Sequence, residues 1–146
     1  MNYKVIQAQT DKDLKNILQL RYDVLRQPWN QSIETATDDL EESSVNAFIE
    51  DENGNAKACG RLQENENKIG QIRFMAVSQA HQGKGLGKLI LLFLEEKAKE
   101  KKIVEIQLQA RENALDFYKS CNYIIKEKSF LLWGEIQHWL MVKDIL

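Results

Sequence analysis

Three glycines at alternate positions, Gly83, Gly85 and Gly87, stand in the run Gln82-Gly83-Lys84-Gly85-Leu86-Gly87-Lys88, between one apolar segment and another. Glycines where a strand turns into a helix leave successive backbone N–H groups uncovered, with the positive end of the helix dipole behind them. Such a turn receives an anion, and a phosphate is the natural guest. Spacing decides whose phosphate. A Walker A loop needs a glycine where Gln82 stands and a hydroxyl where Leu89 follows Lys88, so it is excluded. A dinucleotide fingerprint, G-x-G-x-x-G, places its third glycine at Lys88 or Ile90 and fails as well. What remains is Gln-x-x-Gly-x-Gly ahead of an amphipathic helix. Further along, Asn113, Tyr118 and His138 are polar groups able to bind or to move protons.

The elements that position this turn follow from periodicity. Residues 3–8 read as a first strand. Thr10 with Asp13 forms a capping box that opens a helix with the apolar stripe Leu14, Ile17, Leu18 and Leu25. Pro28, the one proline, stops that helix. Residues 29–44 carry polar, acidic loop chemistry with room for one short helix. Residues 45–50 and 56–63 are two strands joined by the hairpin signal Glu52-Asn53-Gly54-Asn55, and 69–77 is a longer apolar strand. Beyond the glycines, Leu86, Leu89, Ile90, Phe93, Leu94 and Ala98 recur at helical spacing, and the solvated run 97–102 ends that helix. Residues 103–108 alternate as a strand, 113–120 form a short helix, and 123–132 and 136–143 are the last two strands. The order β-α-(α)-β-β-β-α-β-α-β-β predicts an α/β fold, one domain over residues 1–146 with helices on both faces of a mixed sheet.

Composition narrows the function class. The 146 residues are 29% charged but net only −2, which argues against nucleic acid or an anionic membrane as partner. Cys59 and Cys121 have no ligand spacing and read as reduced core thiols, with no metal site. No stretch has the length of a signal peptide or a membrane span, so a cytoplasmic protein is expected.

The glycine turn resembles motif A of the Gcn5-related N-acetyltransferases (GNAT). Arg73-Phe74-Met75-Ala76-Val77 resembles that family's central strand, and Asn113-Ala114-Leu115-Asp116-Phe117-Tyr118 resembles its next helix. The likeness is strong over residues 69–123. In the first helix, Leu20-Arg21-Tyr22-Asp23-Val24-Leu25-Arg26 is similar to a subgroup in which this helix and its loop form the acceptor side. Gly134-Glu135-Ile136-Gln137-His138-Trp139 is similar to a final strand of the same subgroup. The resemblance implies a mostly antiparallel sheet flanked by helices and acetyl-CoA as cosubstrate, transferring acetyl directly to a primary amine without a metal.

It also implies residue roles. Amides of Gln82, Gly83, Lys84, Gly85, Leu86 and Gly87 hold the pyrophosphate, with charge from Lys84 or Lys88. Backbone groups of Met75, Ala76 and Val77 align the pantetheine, and Asn113 binds it. Tyr118 is the general acid, since a phenol is protonated at neutral pH. The base is less defined, because Gln71 and Arg73 occupy places where relatives carry a glutamate. His138 is the candidate, with Glu135 a weaker option, while His81 reads as a rim residue. Arg73 and Arg21 read as ion-pair partners, with anchoring of an acidic acceptor the alternative. Trp29, Trp133 and Trp139 suit an acceptor pocket, a core or a dimer contact equally well. A homodimer is frequent among such domains. The rival reading is a non-catalytic acyl-CoA sensor with the same fold, and the acceptor itself is not legible.

Overall fold

In chain order the strands are β1 (Ile6–Gln7), β2 (Val45–Glu50), β3 (Ala56–Glu64), β4 (Ile69–Val77), β5 (Glu105–Arg111), β6 (Ile124–Leu132) and β7 (Ile136–Asp144). The helices are α1 (Asp11–Arg21), α2 (Leu86–Glu100) and α3 (Leu115–Ser120). A computed structural model, which describes residues 3–145, arranges the strands in one sheet of order β1-β2-β3-β4-β5-β7-β6. Only β4 and β5 pair in parallel; every other pair is antiparallel. This is the predicted mixed, mostly antiparallel architecture, with a first strand shorter than residues 3–8.

Helix α1 begins as its capping box dictates. Thr10 Oγ1 accepts the Asp13 N–H at 3.1 Å, and Asp13 Oδ2 accepts the Thr10 N–H at 3.4 Å. Its inward face differs from the predicted stripe. Ile17, Leu20 and Arg21 are buried, whereas Leu14 and Leu18 are only half-buried. Arg21 is met by Glu41 from the loop before β2 and by Asn46 of β2, so a charged residue occupies the face and the apolar stripe moves around it. Pro28 is not what ends the helix either. At Tyr22 the chain widens into a π-turn, Tyr22–Arg26, which leads into a 3-10 turn, Gln27–Trp29, containing the proline. A widened turn re-aims side chains. Here Leu25 and Arg26 both end up buried.

Both faces of the sheet are covered, which is why β2 is buried almost without alternation. Val45, Ala47 and Ile49 join the core under α2 with Ile90, Leu91 and Leu94, while Phe48 joins Ile17, Leu20 and Phe74 under α1. Leu89, expected in the stripe of α2, is 39% exposed, and Leu91 is buried instead. The inward face is centred on Ile90 and Leu94, which leaves Leu89 on the outer flank. The fifth strand starts at Glu105, later than predicted, and runs on to Arg111. Asn122, at φ 72°, closes α3 in the left-handed region that asparagine tolerates. Cys59 and Cys121 are free, buried thiols, and burial raises the Cys59 thiol to about 11. Among the described residues no helix is long and apolar enough to cross a membrane.

The functional geometry starts in β4. Its pairing to β3 is interrupted where Arg61 faces Arg73 and Cys59 faces Ala76, so that Phe74 and Met75 together oppose Gly60. Such a bulge bends a strand, and Phe74 takes φ 55° within it. On the other side, β4 pairs with β5 only from Ile69 to Ile72. Past that point the two parallel strands diverge.

Candidate functional site

The divergence of β4 and β5 opens a cleft of about 470 Å³. Gln71, Arg73 and Met75 line it from β4, Gln109 and Arg111 from β5, and Tyr118 from α3. Leu25 and Arg26 of the π-turn, with His138 and Trp133 from the last hairpin, close the remaining sides. Five of the residues singled out in sequence, Arg73, Met75, Tyr118, Trp133 and His138, therefore meet in one cavity. The exposed Asn113 and Glu135 are not among its lining residues.

Tyr118 is packed edge-on against Phe117 and Tyr123, with ring centroids 5.0 and 5.9 Å away. Burial, and then the neighbouring Cys121, push its phenol well above the ordinary value, against an opposing pull from Arg111. The group is a proton donor throughout the physiological range. Its neighbour Tyr123 has a different fate: that hydroxyl donates to buried Glu95 at 2.9 Å and belongs to the core.

His138 stacks on Phe130 with centroids 4.4 Å apart. Its Nδ1 lies 3.0 Å from the Ile136 carbonyl oxygen. A carbonyl only accepts, so Nδ1 carries the hydrogen and Nε2 keeps the lone pair. Burial lowers the imidazole below its usual value, although the Ile136 bond works in the opposite direction. A lowered histidine is neutral at pH 7, which is the form that takes up a proton.

Beyond the end of β4, Gln82 Nε2 reaches back to the Val77 carbonyl at 3.3 Å. Gly83 and Gly85 adopt φ 79° and 78°, which only glycine takes without strain, and open space lies where their Cβ atoms would be. Helix α2 starts at Leu86 with no side chain capping it. Among the described residues, the amides of 83–88 have no acceptor; the first to find one is Leu89, which donates to Gly85 O. Lys84 and Lys88 are exposed at this turn. His81 sits at its rim, with Nδ1 2.8 Å from Ser78 Oγ.

In the acidic segment 37–42, Asp39 and Glu42 are exposed, whereas Asp38 and Glu41 turn to buried arginines. Arg21 binds Glu41 at 2.6 Å and Asn46 Oδ1 at 2.8 Å, and Arg61 binds both Asp38 at 2.7 Å and Glu41 at 2.8 Å. Hydrogen bonding to Arg61 is the largest reason that the Asp38 carboxyl is held down at about 2. Arg73 takes the remaining place on Asp38, at 3.0 Å. So Arg21 and Arg73 do serve ion pairs, as their positions suggested.

Arg26 and Arg111 were not singled out as cleft residues. Alternation along β5 was a usable signal for the second, since Gln107, Gln109 and Arg111 share one face of the strand. Nothing in the sequence announces the π-turn that brings in Arg26. Arg26 hydrogen-bonds the carbonyls of Thr35 and Leu25, lies over the Trp133 ring at 5.2 Å, and shares Leu25 O with Arg111. Trp133 is held at φ 53°, which a bulky residue seldom adopts.

Comparison with known proteins agrees with this geometry. Residues 12–123 match the model of the acetyltransferase (GNAT) family. An uncharacterized N-acetyltransferase of Bacillus subtilis (strain 168), YjcF, is 30% identical over 142 residues, 97% of this chain and 99% of that protein. A candidate N-acetyltransferase of Lactobacillus plantarum superposes with a TM-score of 0.87 at 18% identity, with all of both chains covered. An aminoglycoside 6'-N-acetyltransferase complexed with coenzyme A superposes with a TM-score of 0.80 at 12% identity, over 100% of this chain and 98% of that one. At such identities the two structures speak for the fold, and the family match with the Bacillus relative for the lineage. The chain belongs to the acetyltransferase (GNAT) family and is an acyltransferase.

Proposed function

We propose that the protein transfers an acetyl group from acetyl-CoA directly to a primary amine in the cleft between β4 and β5. The observation that supports this most is the meeting of a protonated phenol, Tyr118, and a neutral imidazole, His138, in one cavity. The residues present suit the cosubstrate. Uncovered amides at 83–88 offer a diphosphate several donors at a helix N-terminus, and Lys84 and Lys88 add charge. The β4 backbone at Met75, Ala76 and Val77 lies beyond the pairing with β5 and is suited to align a pantetheine arm, with Asn113 as a further polar contact.

Acetyl-CoA supplies an activated thioester. The chain's own groups then have separate tasks. His138 Nε2 accepts a proton from the incoming ammonium, so that the amine presents a lone pair. The C–N bond forms at the thioester carbonyl carbon, the C–S bond breaks, the Tyr118 hydroxyl gives its proton to the departing sulfur, and the second proton lost by the nitrogen restores the phenol. A backbone N–H near Val77 is the donor for the carbonyl oxygen as it gains charge. The products are an amide, a free thiol and one proton, and no metal takes part.

A thiol-release assay over a panel of amines, paired with calorimetry of coenzyme A binding, tests this reading. Tyr118→Phe is expected to lower turnover by about 100-fold, in the range of general acid–base effects, with coenzyme affinity unchanged within twofold. Unchanged turnover removes Tyr118 from the mechanism. Tight coenzyme binding with no amine ever acetylated identifies the acyl-CoA sensor instead.

A further inference from the structure

The cleft has an electrostatic character that the transfer reaction itself does not require. Arg26, Arg73 and Arg111 line it, and among the described residues no aspartate or glutamate does. Arg73 has a carboxylate partner, Asp38, but Arg61 already occupies both Asp38 oxygens, at 2.7 and 2.9 Å. Among the described residues, Arg26 and Arg111 have none. Their guanidinium groups converge on a single oxygen, Leu25 O, at 3.1 and 3.2 Å. Carbonyl dipoles orient these two cations without neutralising either.

Holding like charges this close is unfavourable. Arg26 is only 8% exposed, and burial followed by the charges of Arg111, Arg73 and Arg21 brings it down to about 10. The face of Trp133 covers it further. A structural arginine in this protein looks different: Arg21 and Arg61 are just as buried, and each has carboxylate partners. A guanidinium pair left without a counter-charge on the wall of a substrate cleft is suited to an oxyanion, which its forked donors bind in two-point fashion.

On the strength of the transferase reading, we propose that the acceptor is a small amine carrying a carboxylate or phosphate group, and that Arg26 and Arg111 bind that oxyanion beside the reacting nitrogen. The same wall repels polycationic acceptors. Spermidine and aminoglycosides carry several ammonium groups and no anion, so they are excluded as substrates.

Matched pairs that differ in the anion alone test this on the full chain. L-leucine is compared with L-leucinamide, β-alanine with its amide, and glucosamine 6-phosphate with glucosamine; spermidine and kanamycin are the cationic controls. The anionic member of at least one pair is expected to show a kcat/KM more than about 10-fold higher, the scale of one charge-assisted contact. The leucine and sugar arms separate carboxylate from phosphate. In Arg111→Gln the KM for that member rises about 10- to 100-fold, while its neutral partner changes little and coenzyme A affinity is retained. Arg111→Lys, which keeps the charge but not the fork, recovers part of the loss.

Equal use of both members of every pair, preference for a cationic control, or equal damage by Arg111→Gln to both members overturns the proposal. Should no amine be acetylated, calorimetric titration of the anionic probes into the coenzyme A-loaded chain decides separately. Saturable binding that Arg111→Gln abolishes keeps the anion site while the transferase reading fails. No binding by any probe removes the site as well.

Discussion

Two groups of arginines lie at and beside one phenyl ring and have opposite electrostatic fates. Arg21, Arg26, Arg61 and Arg73 all place their guanidinium carbons between 4.3 and 5.7 Å from the centre of Phe74. Away from the cleft, Arg21 and Arg61 are charge-paired with Asp38 and Glu41, with Asn46 as a further partner of Arg21, and hold the loop 37–42 against the sheet. On the cleft wall, Arg26 and its neighbour Arg111 have carbonyl partners alone. The first group is part of the fold's stability; the second keeps its charge available. Residue type does not separate them, but their partners do.

Removing one cation from each group breaks this comparison most forcefully. Arg61→Met removes one of the two arginines from each of Asp38 and Glu41, which keep Arg73 and Arg21, and is expected to lower unfolding free energy by about 2–3 kcal/mol in urea denaturation. Arg111→Gln relieves repulsion with Arg26 and is expected to change it by less than about 1 kcal/mol. Similar losses in both would mean that the cleft arginines are structural after all.

Acid acts on the first group alone. Asp38 is held near 2, and Glu41 is also lowered, because the Arg21 and Arg61 bonds outweigh the burial that pushes it up. Depressed carboxyl groups contribute stability that is complete above their unfolded values and is lost as pH falls through the folded ones. Thermal stability is therefore expected to decline between about pH 4 and pH 2, and Arg61→Met flattens that decline. A variant that keeps the full slope would place the acid sensitivity elsewhere.

Salt produces the smallest contrast. Raising ionic strength from about 0.05 to 0.5 M is expected to raise the KM of an anionic acceptor a few-fold, since the cleft is open to solvent. Melting temperature is expected to respond little, because Arg21 and Arg61 are out of contact with water. A neutral acceptor showing the same salt dependence would remove the cleft charge from consideration.

Much of this architecture is contiguous, and so it was legible in the chain. The Thr10–Asp13 capping box, the hairpin at Gly54 and the glycine turn from Gln82 to Lys88 each depend on residues a few positions apart. Their backbone chemistry is local, and the first and last glycines of 83–85 take the left-handed conformations that residue type anticipates. The stripes of α1 and α2 were harder to read, because a helix face is defined by what lies opposite it. Arg21 displaced leucines from one, and Leu91 replaced Leu89 in the other.

The order of elements, the turn at 82–88 and the likeness of residues 69–123 to the acetyltransferases were thus available from the amino acids alone, since each rests on short-range geometry or a linear pattern. Tertiary structure alone decided which side chains face one another: that Tyr118 and His138 share a cavity, that Asp38 and Glu41 neutralise Arg21 and Arg61, and that Arg26 and Arg111 meet at one carbonyl. The reason is physical. Charge neutralisation and desolvation act through space between residues as many as 86 positions apart, and no local preference of the chain encodes that distance.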